Sequence, residues 1–181
     1  MACPPESMPI DQDKLNTEAR KAIRSFCGLL PTTVGVVTEE VRDEGFAFTI
    51  TNPGFSDRPI EVFTDIEELT VCFAASHYHI ADYGQGRTEA ELVEDMILGI
   101  AGILGGSSRS YAAYSGDRTL GGGFTDGSDD IQGRDIWRRA DRFQIYSWDG
   151  SGDKEILVGM PSPPSSEGEH TDAGKRAKPG A

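Results

Sequence analysis

The chain has 181 residues, 17 Lys and Arg against 30 Asp and Glu, a net charge of −13 and a sequence pI near 4.6. Affinity for DNA or RNA rests on cations that neutralise phosphates, so this balance argues against a nucleic-acid partner; it favours solubility, which alone accounts for it, and where there is a protein partner, a basic one. Cys3, Cys27 and Cys72 are odd in number and widely spaced, which excludes a disulfide framework, and the apolar run over 96–104 is too short to span a bilayer. The expectation is a cytoplasmic protein with no membrane role.

Residues 1–12 are rich in proline and polar groups and are expected to be loose; they lack the basic start and apolar stretch of a signal peptide. Over 13–30, Leu15, Ala19, Ala22, Ile23, Phe26, Cys27 and Leu30 recur at helical spacing. They predict an amphipathic helix closed by Gly28 and Pro31. Residues 33–38 and 46–51 are β-branched and aromatic and predict strands joined by an acidic turn over 39–45. Pro53 and Gly54 then stop the second. Residues 60–64 and 69–74 predict the next pair, with Leu69, Val71 and Phe73 on the buried face and Thr70 and Cys72 alternating with them.

Thr88-Glu89-Ala90-Glu91 is a capping box, in which the threonine hydroxyl accepts from an early amide and Glu91 reaches back to the cap. Leu92, Val93, Met96, Ile97, Ile100 and Leu104 continue it as an apolar stripe, and Gly105 and Gly106 end the helix. Residues 109–114, 142–148 and 155–158 predict further strands, the last two joined by a turn over 149–153. The triple glycine in 119–125 leaves a weak strand or a loop, 126–133 reads as a polar loop and 136–140 as one helical turn. Residues 159–181 hold too few apolar side chains to offset ordering entropy and are expected to be disordered. The fold expected is one α+β domain over 13–158: a largely antiparallel sheet of about five or six strands with two amphipathic helices packed on one face.

Candidate chemistry gathers at His77-Tyr78-His79. If the strand from Leu69 runs on regularly, both imidazoles share the parity of Leu69, Val71 and Phe73. They are then partly buried beside Tyr78 and Tyr83 and position the turn into the helix. The alternative adds Asp82, giving two nitrogens and one oxygen to a metal ion. The same regular strand puts Cys72 on the opposite face from His77, and no nucleophile motif surrounds it. No Lys-Ser or Lys-Thr follows the glycines at 121–123, so they form no phosphate cradle. Asp149-Gly-Ser-Gly-Asp153 starts like a calcium loop, but Met160 stands where the bidentate glutamate belongs, and a hairpin turn is expected. No cofactor is implied.

Pro59-Ile60-Glu61-Val62, the run from Leu69 to Phe73, His77-Tyr78-His79 and the acidic helix over 88–104 together resemble small bacterial immunity-type proteins of polymorphic toxin systems and their uncharacterised relatives. Where those strands often carry Trp before the first histidine, this chain has Ser76. The resemblance implies a non-enzymatic protein that binds and blocks a toxin, and it assigns no functional residue. With the acidic balance, it leads to an expected partner surface of Glu89, Glu91, Glu94 and Asp95 on the helix and Asp126, Asp129 and Asp130 on the loop. The alternative is a small metal-dependent hydrolase centred on His77, His79 and Asp82.

Overall fold

The structure, a computed structural model, describes residues 9–42, 45–126 and 135–158, the side chains of Asp135 and Trp137 excepted. Helix α1 (Gln12–Cys27) begins where the Asp11 carboxylate accepts from the Lys14 amide at 3.1 Å, and ends where the Gly28 amide donates back to the Arg24 carbonyl at 2.9 Å. Its buried stripe is Leu15, Ala19 and Ile23, with Ile10 packed against the same core ahead of the cap. Residues 1–8 and 159–181, expected to be loose and disordered, lie outside the described residues, as does most of the loop expected over 126–133.

Five antiparallel strands follow in chain order: β1 (Val36–Arg42), β2 (Gly45–Thr51), β3 (Ile60–Asp65), β4 (Glu68–Phe73) and β5 (Ser76–Ala81). Helix α2 (Glu89–Leu104) comes next. A second antiparallel sheet is built from β6 (Arg109–Ser115), β7 (Arg118–Thr125), β8 (Arg142–Tyr146) and β9 (Lys154–Leu157), ordered β7-β6-β8-β9. A single 3-10 turn, Asp135–Arg138, precedes β8. The fold is α+β with antiparallel sheets, as the patterning predicts. The strands divide into two sheets of five and four, however, because pairing is local on either side of α2.

Alternation along β2, β3 and β4 puts Phe46, Phe48, Ile50, Ile60, Val62, Leu69, Val71 and Phe73 into one core cluster. Leu15, Ala19 and Ile23 of α1 and Leu92, Met96, Ile100 and Ile103 of α2 belong to the same cluster. Each of these Val, Leu, Ile, Phe and Met side chains contributes about 1.5–3 kcal/mol on burial. A smaller cluster of Tyr111, Ala113, Ala140, Phe143 and Ile145 forms on the second sheet.

The sheets are tied together by specific contacts. Ser76 Oγ donates to the Tyr111 carbonyl at 2.9 Å, and the Tyr78 and Phe124 rings meet edge to face at 5.1 Å. Trp148 rests on Phe73 and donates to the Val34 carbonyl at 3.2 Å, while Asn52 Nδ2 donates to the Trp148 carbonyl. The triple glycine is a true strand here. A Cβ on Gly122 would lie 2.5 Å from the Tyr111 carbonyl oxygen and 2.8 Å from Ser76 Oγ, so only glycine permits this approach.

Two local expectations are corrected. The acidic run after Thr38 does not turn at once. Glu39 stays in β1 because Arg20 and Arg24 of α1 both hold its carboxylate at 2.7 Å. The chain also does not run straight from β4 through the histidines. A two-residue turn at Ala74 and Ala75, with Ala74 at φ 50°, folds β5 back on β4 so that Phe73 faces Ser76, Cys72 faces His77 and Val71 faces Tyr78. That turn exchanges odd for even parity. Ser76, Tyr78 and Ile80 take the inner face, and His77 and His79 are exposed on the outer one. They are therefore not the partly buried residues expected beside Tyr78, and Cys72 lies on the same face as His77, not the opposite one.

Candidate functional site

Three of the four helix carboxylates expected to meet a partner, Glu89, Glu91 and Asp95, have contacts within the fold. Glu89 is buried in the first turn of α2, where its Oε1 accepts from the Asp11 amide at 3.0 Å and its Oε2 meets Lys14 Nζ at 2.7 Å. It thus joins the N-terminal ends of both helices, whose positive dipole ends favour its charge. The hydrogen bond from Lys14, then that from the Asp11 amide, lowers its pKa from the ordinary 4.5 to about 2. Glu91 closes the capping box, accepting from the Thr88 amide at 2.7 Å, and that bond also holds its pKa below the usual range. Asp95 is paired with Arg87. Glu94 is exposed, as is Asp126 just beyond β7. Asp129 and Asp130 lie outside the described residues.

The His77 and His79 rings stand edge to face with centroids 5.0 Å apart on the outer face of β5. His79 Nδ1 lies 2.8 Å from Glu68 Oε1 and 3.1 Å from Thr70 Oγ1, both on β4. Asp82 accepts instead from the Arg87 amide, which shapes the loop into α2. No group of three or more His, Cys, Asp or Glu side chains poised for a metal ion forms among the described residues. Cys72 sits in a cross-strand row with Glu61 and His77. Burial, and then the Glu61 charge, pushes its thiol pKa up, away from the thiolate that nucleophilic chemistry needs. Asp149 accepts from the Ser151 amide at 3.0 Å and Asp153 from the Ser147 amide at 2.8 Å, so this segment is the expected hairpin turn.

Sequence reasoning missed a different surface. Two clefts flank the two-residue turn Ile66-Glu67 between β3 and β4, and both residues line both clefts. The larger, of about 780 Å³, runs along α1 past Asn16 and Thr17 to Val41 and Arg42. The smaller, of about 380 Å³, is walled by Ile10, Glu68, Asp82 and Tyr83. Seven large apolar side chains are exposed among the described residues, and three of them, Val41, Ile66 and Tyr83, line these clefts. Ile66 at the turn apex is 81% exposed. Glu67 and Tyr83 take positive φ angles of 56° and 47°, an uncommon choice for side-chain-bearing residues. An exposed isoleucine in a run read as a turn was the one signal available from sequence.

Across the described residues, no helix is long and apolar enough to cross a membrane. No family model matches the chain, and no curated protein or solved structure matches it significantly.

Proposed function

We propose that this protein is a non-enzymatic acidic binding protein for a basic protein partner, an immunity-type inhibitor of a bacterial toxin being the form suggested by the strand and helix pattern. The observation that carries this reading is the distribution of charge. Lys14, Arg20, Arg24, Arg58 and Arg87 are each committed to a carboxylate within the fold. Carboxylates still outnumber cations among the described residues, and Glu94 and Glu67 are exposed there. Such a field speeds encounter with a basic partner and repels nucleic acid and anionic surfaces. Affinity purification from the native host, followed by reconstitution with the purified partner at low and high salt, tests the reading. A basic protein whose association weakens with salt is expected; recovery of no partner, or of nucleic acid alone, counts against it.

The alternative, a small metal-dependent hydrolase, draws on the paired rings of His77 and His79. Asp82 is less suited to it, since the Arg87 amide already uses its carboxylate. Melting with added zinc, manganese or calcium discriminates. A binding ion raises the melting temperature through linkage, and the first reading expects no shift beyond that of a metal-free control.

A further inference from the structure

We propose that the two clefts joined by the Ile66-Glu67 turn are the docking surface for a segment of a partner protein that combines apolar anchors with Lys or Arg. This rests on the acidic-binding reading and gives it a place. The apolar half of the argument is the concentration of Val41, Ile66 and Tyr83 around two contiguous clefts, since a cluster of exposed large apolar groups marks an interaction site more often than the same groups scattered singly. Ile66 stands between the clefts at the apex of its turn, a position that turn chemistry would fill more cheaply with a polar residue. Glu67 and Tyr83 hold left-handed backbone beside it, and residues kept in that region cluster at binding sites.

Charge identifies the occupant. Asp13, Asp65, Glu67, Glu68 and Asp82 line the clefts; Glu68 also meets His79 and Asp82 the Arg87 amide, which leaves Asp13, Asp65 and Glu67 as the rim's main negative charge. The cations there, Arg20 and Arg42, are engaged with Glu39 at 2.7 Å and with Glu40 at 3.6 Å. A second copy of this chain would bring a like-charged rim onto this one, and a phosphate-bearing polymer would be repelled. A basic segment with apolar side chains satisfies both halves of the surface, its cations meeting the rim and its apolar groups entering beside Ile66 and Tyr83.

The test uses the full chain, isotopically labelled, and a short synthetic peptide of Lys and Leu, with a peptide of Lys and Ser at equal charge as control. Amide shifts are expected to concentrate at Val41, Ile66, Glu67 and Tyr83, with the Lys-Leu peptide binding more tightly. The double variant Ile66→Ser with Tyr83→Ser is expected to lose at least about tenfold in affinity, as for central interface anchors. Glu67→Lys should weaken binding more than Glu94→Lys, the same charge change on the exposed side of α2. Equal binding of the two peptides, shifts centred elsewhere, an unaffected double variant, or equal effects of the two charge reversals would each overturn the proposal. So would a dimer that the double variant dissolves. A purified basic partner that binds the double variant as tightly as the wild type removes this surface and leaves the acidic-binding reading standing. The absence of any basic partner removes the reading itself.

Discussion

The first turn of α2 and the Ile66-Glu67 turn are both acidic, yet their carboxylates do opposite things. At the helix, Glu89 is drawn inward onto Lys14 and the Asp11 amide, Glu91 closes the cap, and Asp95 holds Arg87. At the turn, Asp65 accepts from the next amide, that of Ile66, at 2.8 Å, and Ile66 itself is left in solvent. A negative charge near a helix N-terminus stabilises the fold; one on an exposed turn with no cation beside it contributes little beyond its local turn contact and remains available for recognition. The number of acidic residues in a segment therefore says little about binding. Their partners decide it.

The comparison is broken most directly at Glu89. Replacing it with Ala removes a charge-assisted hydrogen bond and leaves the Asp11 amide without its acceptor, with an expected loss of about 2 kcal/mol in urea unfolding. Glu67→Gln is expected to stay within about 0.5 kcal/mol of wild type, as surface substitutions do. Equal losses at the two positions would erase the distinction.

Acid sharpens it further. The folded-state pKa of Glu89 is lowered, so its contribution is fully present above the ordinary value of 4.5 and is lost as pH falls through about 2. Urea midpoints measured down this window should fall more steeply for wild type than for Glu89→Gln, the two curves converging at the acid end. Parallel curves would mean that the Lys14 and Asp11 contacts do not hold this carboxylate in solution.

The smallest effect is expected at the strained turn. Glu67→Gly relieves a φ of 56° and, after the entropy cost of glycine, should gain about 0.5 kcal/mol, read as a small rise in melting temperature. A fall instead would show that the Glu67 side chain contributes to the fold, placing this turn in the same class as the helix cap.

The parts of the molecule legible in the sequence are those whose signal is local. The capping box at Thr88, the stripe from Leu92 to Ile100, and the alternation of Leu69, Val71 and Phe73 all stand where their spacing puts them. What was not legible depends on partners distant in sequence. Glu39 reads as a turn residue until Arg20 and Arg24 are seen to hold it in a strand. The glycines at 121–123 leave a weak strand or a loop undecided until Ser76 and the Tyr111 carbonyl are seen crowding Gly122. The candidate site shares that limit. Helical spacing placed Glu89 correctly in the first turn of α2, but nothing local announces that it points at Lys14, 75 residues away in the chain.

The hairpin at Ala74 and Ala75 carries one more lesson. It has no Gly, Asn, Asp or Pro to mark it, and its length alone settles which side chains of β5 enter the interior. Tyr78 lies inside, its hydroxyl so close beneath α2 that a Cβ on Gly99 would stand 1.5 Å from it, and burial raises its phenol pKa to about 12. One inserted codon at this hairpin, with the β4 register kept, would trade Tyr78 and Ile80 for the two imidazoles and unseat the Ser76 bond to Tyr111. Lineages that carry this domain should therefore accept almost any exchange at Ala74 and Ala75 that tolerates the turn, while a change in the number of residues there should be purged. At this hairpin, selection reads length before it reads letters.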